Sequence, residues 1–118
     1  MNRFMQLAAQ ARQTVPCSEP PAVLTQVQSA TPPLLIDVRE ESEWKLGHAA
    51  GAVHLSKGVI ERDIEKVAPD PATPLILYCG GGHRSLLAAR NLQLMGYSNV
   101  ISMDGGFALW KKLGFPVE

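Results

Sequence analysis

The chain has 118 residues, of which 46% are hydrophobic and 19% are charged, so it suffices for one domain with its own core and is neither disordered nor fibrous in composition. Eleven basic side chains balance eleven acidic ones, which excludes a general electrostatic attraction to nucleic acid or to an anionic membrane. No apolar run approaches the ~20 residues needed to cross a bilayer, and polar residues interrupt the first seventeen positions, so we expect a cytoplasmic protein.

The two cysteines, Cys17 and Cys79, allow at most one disulfide, and neither stands in a CxxC or another metal-binding spacing. The three histidines do not form a recognisable zinc set. We therefore expect neither a disulfide scaffold nor a metal site.

Apolar side chains recur at steps of three to four residues from Phe4 to Val15, which predicts an amphipathic helix over about residues 1–14. Its apolar stripe would pack on the chain's own domain, the more common arrangement, or alternatively on a second subunit. We assign residues 1–17 to this helix and a linker, in which Cys17 is an incidental thiol, and residues 18–118 to the main domain.

Helices and strands alternate through the rest of the chain. Helices are predicted over residues 22–29, 40–46, 59–67, 84–95 and 107–113, and strands over residues 34–38, 52–55, 75–78 and 100–103. This alternation predicts an α/β fold with a central parallel sheet and helices on both faces. Ligands bind at the carboxyl ends of the strands in such sheets, where Asp37 and Cys79 are expected to stand.

Residues 79–85, which we call the cysteine loop, join the most apolar strand to a helix. Gly80, Gly81 and Gly82 permit positive φ angles, so successive backbone amides are free to turn toward the sulfur of Cys79. The helix N-terminus and the cation of Arg84 also favour an anion there. We therefore expect Cys79 to be a nucleophilic thiolate at neutral pH. The alternative, a buried inert thiol, does not explain the run of glycines.

Three motifs in this order resemble those of the rhodanese family. CGGGHRS at residues 79–85 resembles its active-site motif, and LIDVRE at residues 35–40 with GHAAGAVHL at residues 47–55 resembles its first motif. DGGFALW at residues 104–110 and GFPV at residues 114–117 resemble its C-terminal motif. The resemblance implies a single rhodanese-like domain.

The resemblance also implies a reaction. In rhodanese-like enzymes the cysteine thiolate takes the outer sulfur of a donor such as thiosulfate, and a second nucleophile, cyanide or a thiol, then removes it. The chain would carry this sulfur as a Cys79 persulfide in a ping-pong reaction without a cofactor. The residues expected to bind the substrate and the persulfide are Gly80, Gly81, Gly82, His83, Arg84 and Ser85.

Other polar residues are expected to support this site. Arg84 would attract an anionic donor, or pair with Asp37, or do both. Asp37 and Arg39 would form a charge and hydrogen-bond network that stabilises the cysteine loop. His48 would fix its own turn over residues 47–51 rather than transfer protons.

Three alternative functions stay open, namely a persulfide relay, a cysteine phosphatase and a non-catalytic binding module. A persulfide relay to a specific partner protein would use the same chemistry at Cys79. A rhodanese-fold cysteine phosphatase would have five residues between its Cys and Arg, whereas four separate Cys79 from Arg84. Non-catalytic rhodanese modules usually lack the cysteine. We expect a small sulfur donor and acceptor as partners, and a monomer or a weak homodimer in contact through its first fourteen residues.

Overall fold

Five parallel strands form one sheet in the computed structural model, which describes residues 1–118. In chain order the strands are β1 (Cys17–Ser18), β2 (Leu34–Asp37), β3 (Val53–His54), β4 (Leu75–Tyr78) and β5 (Val100–Met103). They lie in the order β1-β5-β4-β2-β3, so the most apolar strand, β4, is central and its four side chains are all buried. A run buried on both faces is typical of a parallel sheet. The expected α/β fold is confirmed.

The structure has six helices, and five of them cover the two faces of this sheet. The six are α1 (Arg3–Arg12), α2 (Pro20–Val27), α3 (Glu41–Trp44), α4 (Ile60–Val67), α5 (Arg84–Leu94) and α6 (Gly106–Lys112). Helices α1, α4 and α5 pack on one face, and α2 and α6 pack on the other. Each predicted helix and strand is present, with ends that differ from the prediction by at most two residues. No helix has both the length and the apolar character that a membrane crossing requires.

The prediction missed the edge strand β1. Cys17 pairs with Ser102 and Ser18 pairs with Met103, so these residues extend the sheet instead of forming a linker. Two residues are too short to show an alternating pattern, and only the neighbouring β5 makes them a strand. Cys17 is partly buried there, and Nη1 of Arg12 lies 3.3 Å from its sulfur.

Helix α1 packs on its own domain, against α5. The small side chains of Ala8 and Ala11 are buried at this contact, and Val15 is buried just beyond the helix. The other end of the apolar stripe is more open, because Phe4 and Leu7 remain 44% and 41% exposed. The more common of the two expected arrangements is therefore the one observed.

Candidate active site

Cys79 follows the central strand and lies where β4 leads into α5. Two backbone amides donate hydrogen bonds to its Sγ, from Gly82 at 3.1 Å and from Ser85 at 3.4 Å. Ser85 stands in the first turn of α5, where amides have no partner within the helix. The sulfur therefore occupies the position that a capping side chain usually takes, and the geometry favours a negative charge on it.

The three glycines of the cysteine loop have different roles. We expected positive φ angles along this run, but only Gly82 has one, at 100°. Its conformation turns the amide toward the sulfur, and an added Cβ would lie 3.1 Å from the nitrogen of Gly105. An added Cβ on Gly80 would lie 3.0 Å from Nη2 of Arg84, whereas one on Gly81 would meet no atom within 4 Å. Gly82 is therefore the position that requires glycine, because of its φ angle and the nearby backbone, whereas a Cβ at position 80 would need only a small shift of the flexible Arg84 side chain.

A chain of buried hydroxyl groups continues from the sulfur into the sheet. Oγ of Ser85 lies 3.4 Å from Sγ of Cys79 and 2.8 Å from Oγ of Ser102 on β5. Both serines are fully buried. Sequence reasoning missed Ser102, although a serine within an otherwise apolar strand is a signal that a polar partner lies opposite.

The N-terminus of α6 holds the backbone that directly follows the Cα atom of Cys79. The amide of Phe107 donates to the carbonyl of Cys79 at 2.7 Å, and the amide of Ala108 donates to the carbonyl of Gly80 at 3.1 Å. Gly106 has a φ of 58°, and an added Cβ would lie only 2.5 Å from the carbonyl oxygen of Cys79. Glycine at position 106 therefore lets α6 approach the cysteine loop this closely.

Arg84 makes a two-pronged ion pair with Glu43 of α3. Its Nη1 lies 2.7 Å from Oε1 and its Nη2 lies 3.0 Å from Oε2 of that carboxylate. This pairing lowers the pKa of Glu43 to about 2, chiefly through the hydrogen bonds from Arg84. The expected pairing of Arg84 with Asp37 was wrong, because Asp37 is fully buried and Arg39 occupies both of its carboxylate oxygens.

Asp37 and Arg39 form a buried ion pair behind the cysteine loop. Nη2 of Arg39 donates to Asp37 Oδ2 at 2.8 Å and to the carbonyl of Gly47 at 2.7 Å. The guanidinium also lies 4.3 Å from the centre of the Phe107 ring, which is a cation–π distance. Since the Phe107 amide binds the Cys79 carbonyl, this pair contacts the cysteine loop through α6.

His48 and His54 both pack against the ring of Trp44. The ring of His48 stacks on Trp44 at 3.5 Å between centroids, and His54 stacks on it at 4.9 Å. Nε2 of His48 lies 3.5 Å from a carboxylate oxygen of Glu118, so His48 joins its turn to the C-terminal segment. No group of three or more His, Cys, Asp or Glu side chains is placed to hold a metal ion.

The sulfur of Cys79 lies at the base of the cysteine loop. Cys79 is 1% exposed, whereas Gly81 is exposed and Gly80, His83 and Arg84 are half-buried. The His83 ring packs edge-on against Phe4 of α1, with 6.2 Å between centroids. A reactant that approaches Cys79 must therefore be small, and α1 contributes a residue beside the loop.

Residues 20–113 match the rhodanese-like domain family. The chain belongs to the rhodanese family. It is 36% identical over 85 residues to the thiosulfate sulfurtransferase GlpE of Pseudomonas fluorescens, a match that covers 72% of this chain and 75% of that relative. The family read from the three motifs is thus confirmed, and so is the enzyme class, a rhodanese-type sulfurtransferase.

Two solved structures extend the similarity over the N-terminal helix. A protein of unknown function from Rhodopseudomonas palustris, named a possible tyrosine phosphatase, has a TM-score of 0.86 and 26% identity, over 100% of this chain and 96% of that one. The polysulfide-sulfur transferase homodimer of Wolinella succinogenes has a TM-score of 0.83 and 26% identity, over 98% of this chain and 86% of that one. Both are similar in fold to the rhodanese-family chain described above.

Proposed function

We propose that this rhodanese-family protein transfers a sulfane sulfur from a small donor, such as thiosulfate, to cyanide or a thiol through a persulfide on Cys79. The observation that carries the proposal is the pair of backbone amides, from Gly82 and Ser85, that donate to Sγ. Fixed donors of this kind stabilise a negative charge without having to reorganise during the reaction.

In the first step the Cys79 thiolate attacks the outer sulfur of the donor. A bond forms between Sγ and that sulfur, the S–S bond of thiosulfate breaks, and sulfite leaves with the bonding electron pair. The negative charge of the thiolate passes to the terminal sulfur of the persulfide. That sulfur projects one bond beyond Sγ, toward the amides of the cysteine loop, which hold it as an anion.

In the second step an acceptor attacks the terminal sulfur. Cyanide leaves as thiocyanate, or a thiolate leaves as a new persulfide, and the Cys79 thiolate returns with its electron pair. Both half-reactions use one site in turn, so the kinetics are ping-pong and no cofactor takes part. A protein thiol is the second candidate acceptor, which would make the chain a relay.

The residues around the loop have positioning roles in this proposal. Ser85 donates its amide and offers its hydroxyl to the sulfur, while Asp37 and Arg39 keep α6 in place against the loop. His48 fixes the turn that accepts a hydrogen bond from Arg39. None of these side chains needs to exchange a proton with substrate.

Names of similar proteins support a sulfur reaction more strongly than a phosphoryl one. The relative from Pseudomonas fluorescens is named a thiosulfate sulfurtransferase, and the Wolinella structure is named a polysulfide-sulfur transferase. The name possible tyrosine phosphatase belongs to a single structure among these. The four residues between Cys79 and Arg84 give a short loop, which suits a sulfur atom better than a phosphoryl group.

Steady-state assays of the purified protein test the proposal. We expect sulfite release from thiosulfate and thiocyanate formation with cyanide, loss of both in Cys79→Ser, and retention of both in the matched variant Cys17→Ser. Activity of Cys79→Ser near that of the wild type would refute the role of Cys79. Hydrolysis of an aryl phosphate without sulfur transfer would instead support the phosphatase alternative.

The cellular setting is part of the proposal. Both cysteines are free thiols, as is usual for proteins of the reducing cytoplasm. We propose that the protein acts there as a monomer or a weak homodimer, with thiols as its natural acceptors.

A further inference from the structure

The ion pair between Glu43 and Arg84 lies beside Gly80 of the cysteine loop. Oε1 of Glu43 accepts a hydrogen bond from the amide of Glu40 at 3.1 Å, as part of the capping box of α3, so its carboxylate has a fixed position. Arg84 reaches it from the first turn of α5 with both Nη atoms. The side chains of Arg84 and Glu43 are 32% and 36% exposed, so the pair faces solvent as well as the loop.

The pair lies directly above Gly80, the residue after Cys79. An added Cβ on Gly80 would lie 3.0 Å from Nη2 of Arg84 and 3.8 Å from Oε2 of Glu43. We call the surface that Glu43 and Arg84 form beside Gly80 the loop entrance, and we take it as the side from which a donor reaches the sulfur. A donor that approaches the sulfur from this side passes next to a carboxylate.

The fixed charges at the loop entrance cancel. Glu43 neutralises Arg84, and the other nearby cation, Arg39, is buried in its pair with Asp37. A second negative charge on a donor therefore finds no unpaired cation among these side chains, and its attraction depends on the backbone amides alone. If Arg84 turned from Glu43 to a donor, the carboxylate would be left unpaired beside that donor, so a dianion is disfavoured in both arrangements.

We propose that Glu43 is a specificity-determining residue that makes this site prefer sulfur donors with a single negative charge over dianionic donors such as thiosulfate. The favoured class comprises alkanethiosulfonates and the persulfides of small thiols. This inference rests on the proposed Cys79 persulfide, because it concerns the donor that forms it. With an alkanethiosulfonate the step stays balanced, since the Sγ–S bond forms, the donor S–S bond breaks and the sulfinate leaves with the electron pair.

Coulomb's law gives the size of the expected effect. Repulsion between a carboxylate and a donor about 6 Å away in a water-like dielectric lowers the affinity about tenfold for a dianion and about threefold for a monoanion. Removing the charge of Glu43 should therefore raise kcat/KM for thiosulfate about threefold more than kcat/KM for methanethiosulfonate. Release of Arg84 would add to the gain for thiosulfate.

The experiment measures kcat/KM for these two donors with one acceptor at low ionic strength. In a ping-pong reaction this quantity reports the donor half-reaction alone. Glu43→Gln removes the charge but keeps an oxygen that accepts the capping hydrogen bond from Glu40. Glu41→Gln is the matched control, because Glu41 is on the same helix, is 73% exposed and pairs only with Lys45. We expect the ratio of thiosulfate to methanethiosulfonate to rise at least threefold in Glu43→Gln and to stay unchanged in Glu41→Gln.

Salt provides a second measurement that needs no variant. Ions screen exposed charges, so the preference of the wild type for the monoanionic donor should become smaller as ionic strength rises.

Two results for Glu43→Gln would overturn the inference. An equal fall of kcat/KM for both donors would show that Glu43 only shapes the loop, and an unchanged ratio of kcat/KM for the two donors would show that its charge does not affect the choice of donor. If neither donor formed a persulfide on wild-type Cys79, the proposed function would fail and this inference with it; a persulfide with an unchanged donor ratio would overturn the inference alone.

Discussion

Replacement of Gly106 by alanine tests whether α6 holds the cysteine loop in its reactive shape. The new Cβ would lie 2.5 Å from the carbonyl oxygen of Cys79 and 2.6 Å from that of Gly80, where 3.4 Å is an ordinary contact. Either α6 or the loop must then move by roughly 1 Å, a displacement that typically lowers a catalysed rate about 100-fold. The backbone at Cys79 is the part that carries the nucleophile, so the loss should appear in kcat/KM.

The same substitution should also destabilise the fold. Alanine at a left-handed position costs about 1–2 kcal/mol. Movement of α6 weakens the hydrogen bonds from the amides of Phe107 and Ala108 to the loop, each worth about 1 kcal/mol. We therefore expect Gly106→Ala to lose about 3–4 kcal/mol of unfolding free energy, measured by urea denaturation.

Gly114→Ala is the matched control for this prediction. Gly114 follows the other end of α6 with a φ of 74°, but an added Cβ there meets no atom within 4 Å. The control carries the left-handed strain without the collision, so it should lose about 1–2 kcal/mol and keep its activity. Equal kcat/KM and equal stability of the two variants would show that the contact between α6 and the loop does not position Cys79.

Four variants address the loop and its charged neighbours. Gly82→Ala should reduce sulfur transfer strongly, because it strains the φ of 100° that turns an amide to the sulfur, whereas Gly81→Ala should leave the rate within a few-fold of wild type. Asp37→Asn should destabilise the fold by about 3–5 kcal/mol in urea, since it leaves the buried Arg39 without its counter-charge; a loss below about 1 kcal/mol would contradict this. Pairing with Arg84 lowers the pKa of Glu43 to about 2, so its stabilising contribution is full above the ordinary carboxyl pKa. This contribution is lost as the pH falls from the ordinary pKa to the lowered one. The Tm difference between wild type and Glu43→Gln should therefore shrink from about pH 5 to about pH 2.

The fold could be predicted from the sequence because the strongest patterns in the sequence are local. The run at residues 75–78 is apolar throughout and ends at Cys79, so both the central strand and the site follow from adjacent residues. The edge strand β1 was missed because its two residues gain their structure only from β5. Local pattern is readable in one sequence, whereas pairing between distant segments depends on the register of the sheet.

Contacts between segments that lie far apart in the chain account for the other differences between the prediction and the structure. Ser102 reaches the site because β5 lies next to β4, and Arg84 meets Glu43 because α3 ends beside the loop entrance. The run of three glycines suggested one common role, yet only Gly82 has a positive φ. No local pattern marks which of the three glycines adopts it.

Whether Cys79 forms a persulfide is tested by the mass of the intact protein after treatment with a sulfane sulfur donor and removal of excess reagent. The proposed reaction predicts a gain of one sulfur atom, located on the peptide that contains Cys79 and removed by cyanide. A protein that gains no sulfur from either thiosulfate or methanethiosulfonate, or that gains it only on Cys17, would contradict the account.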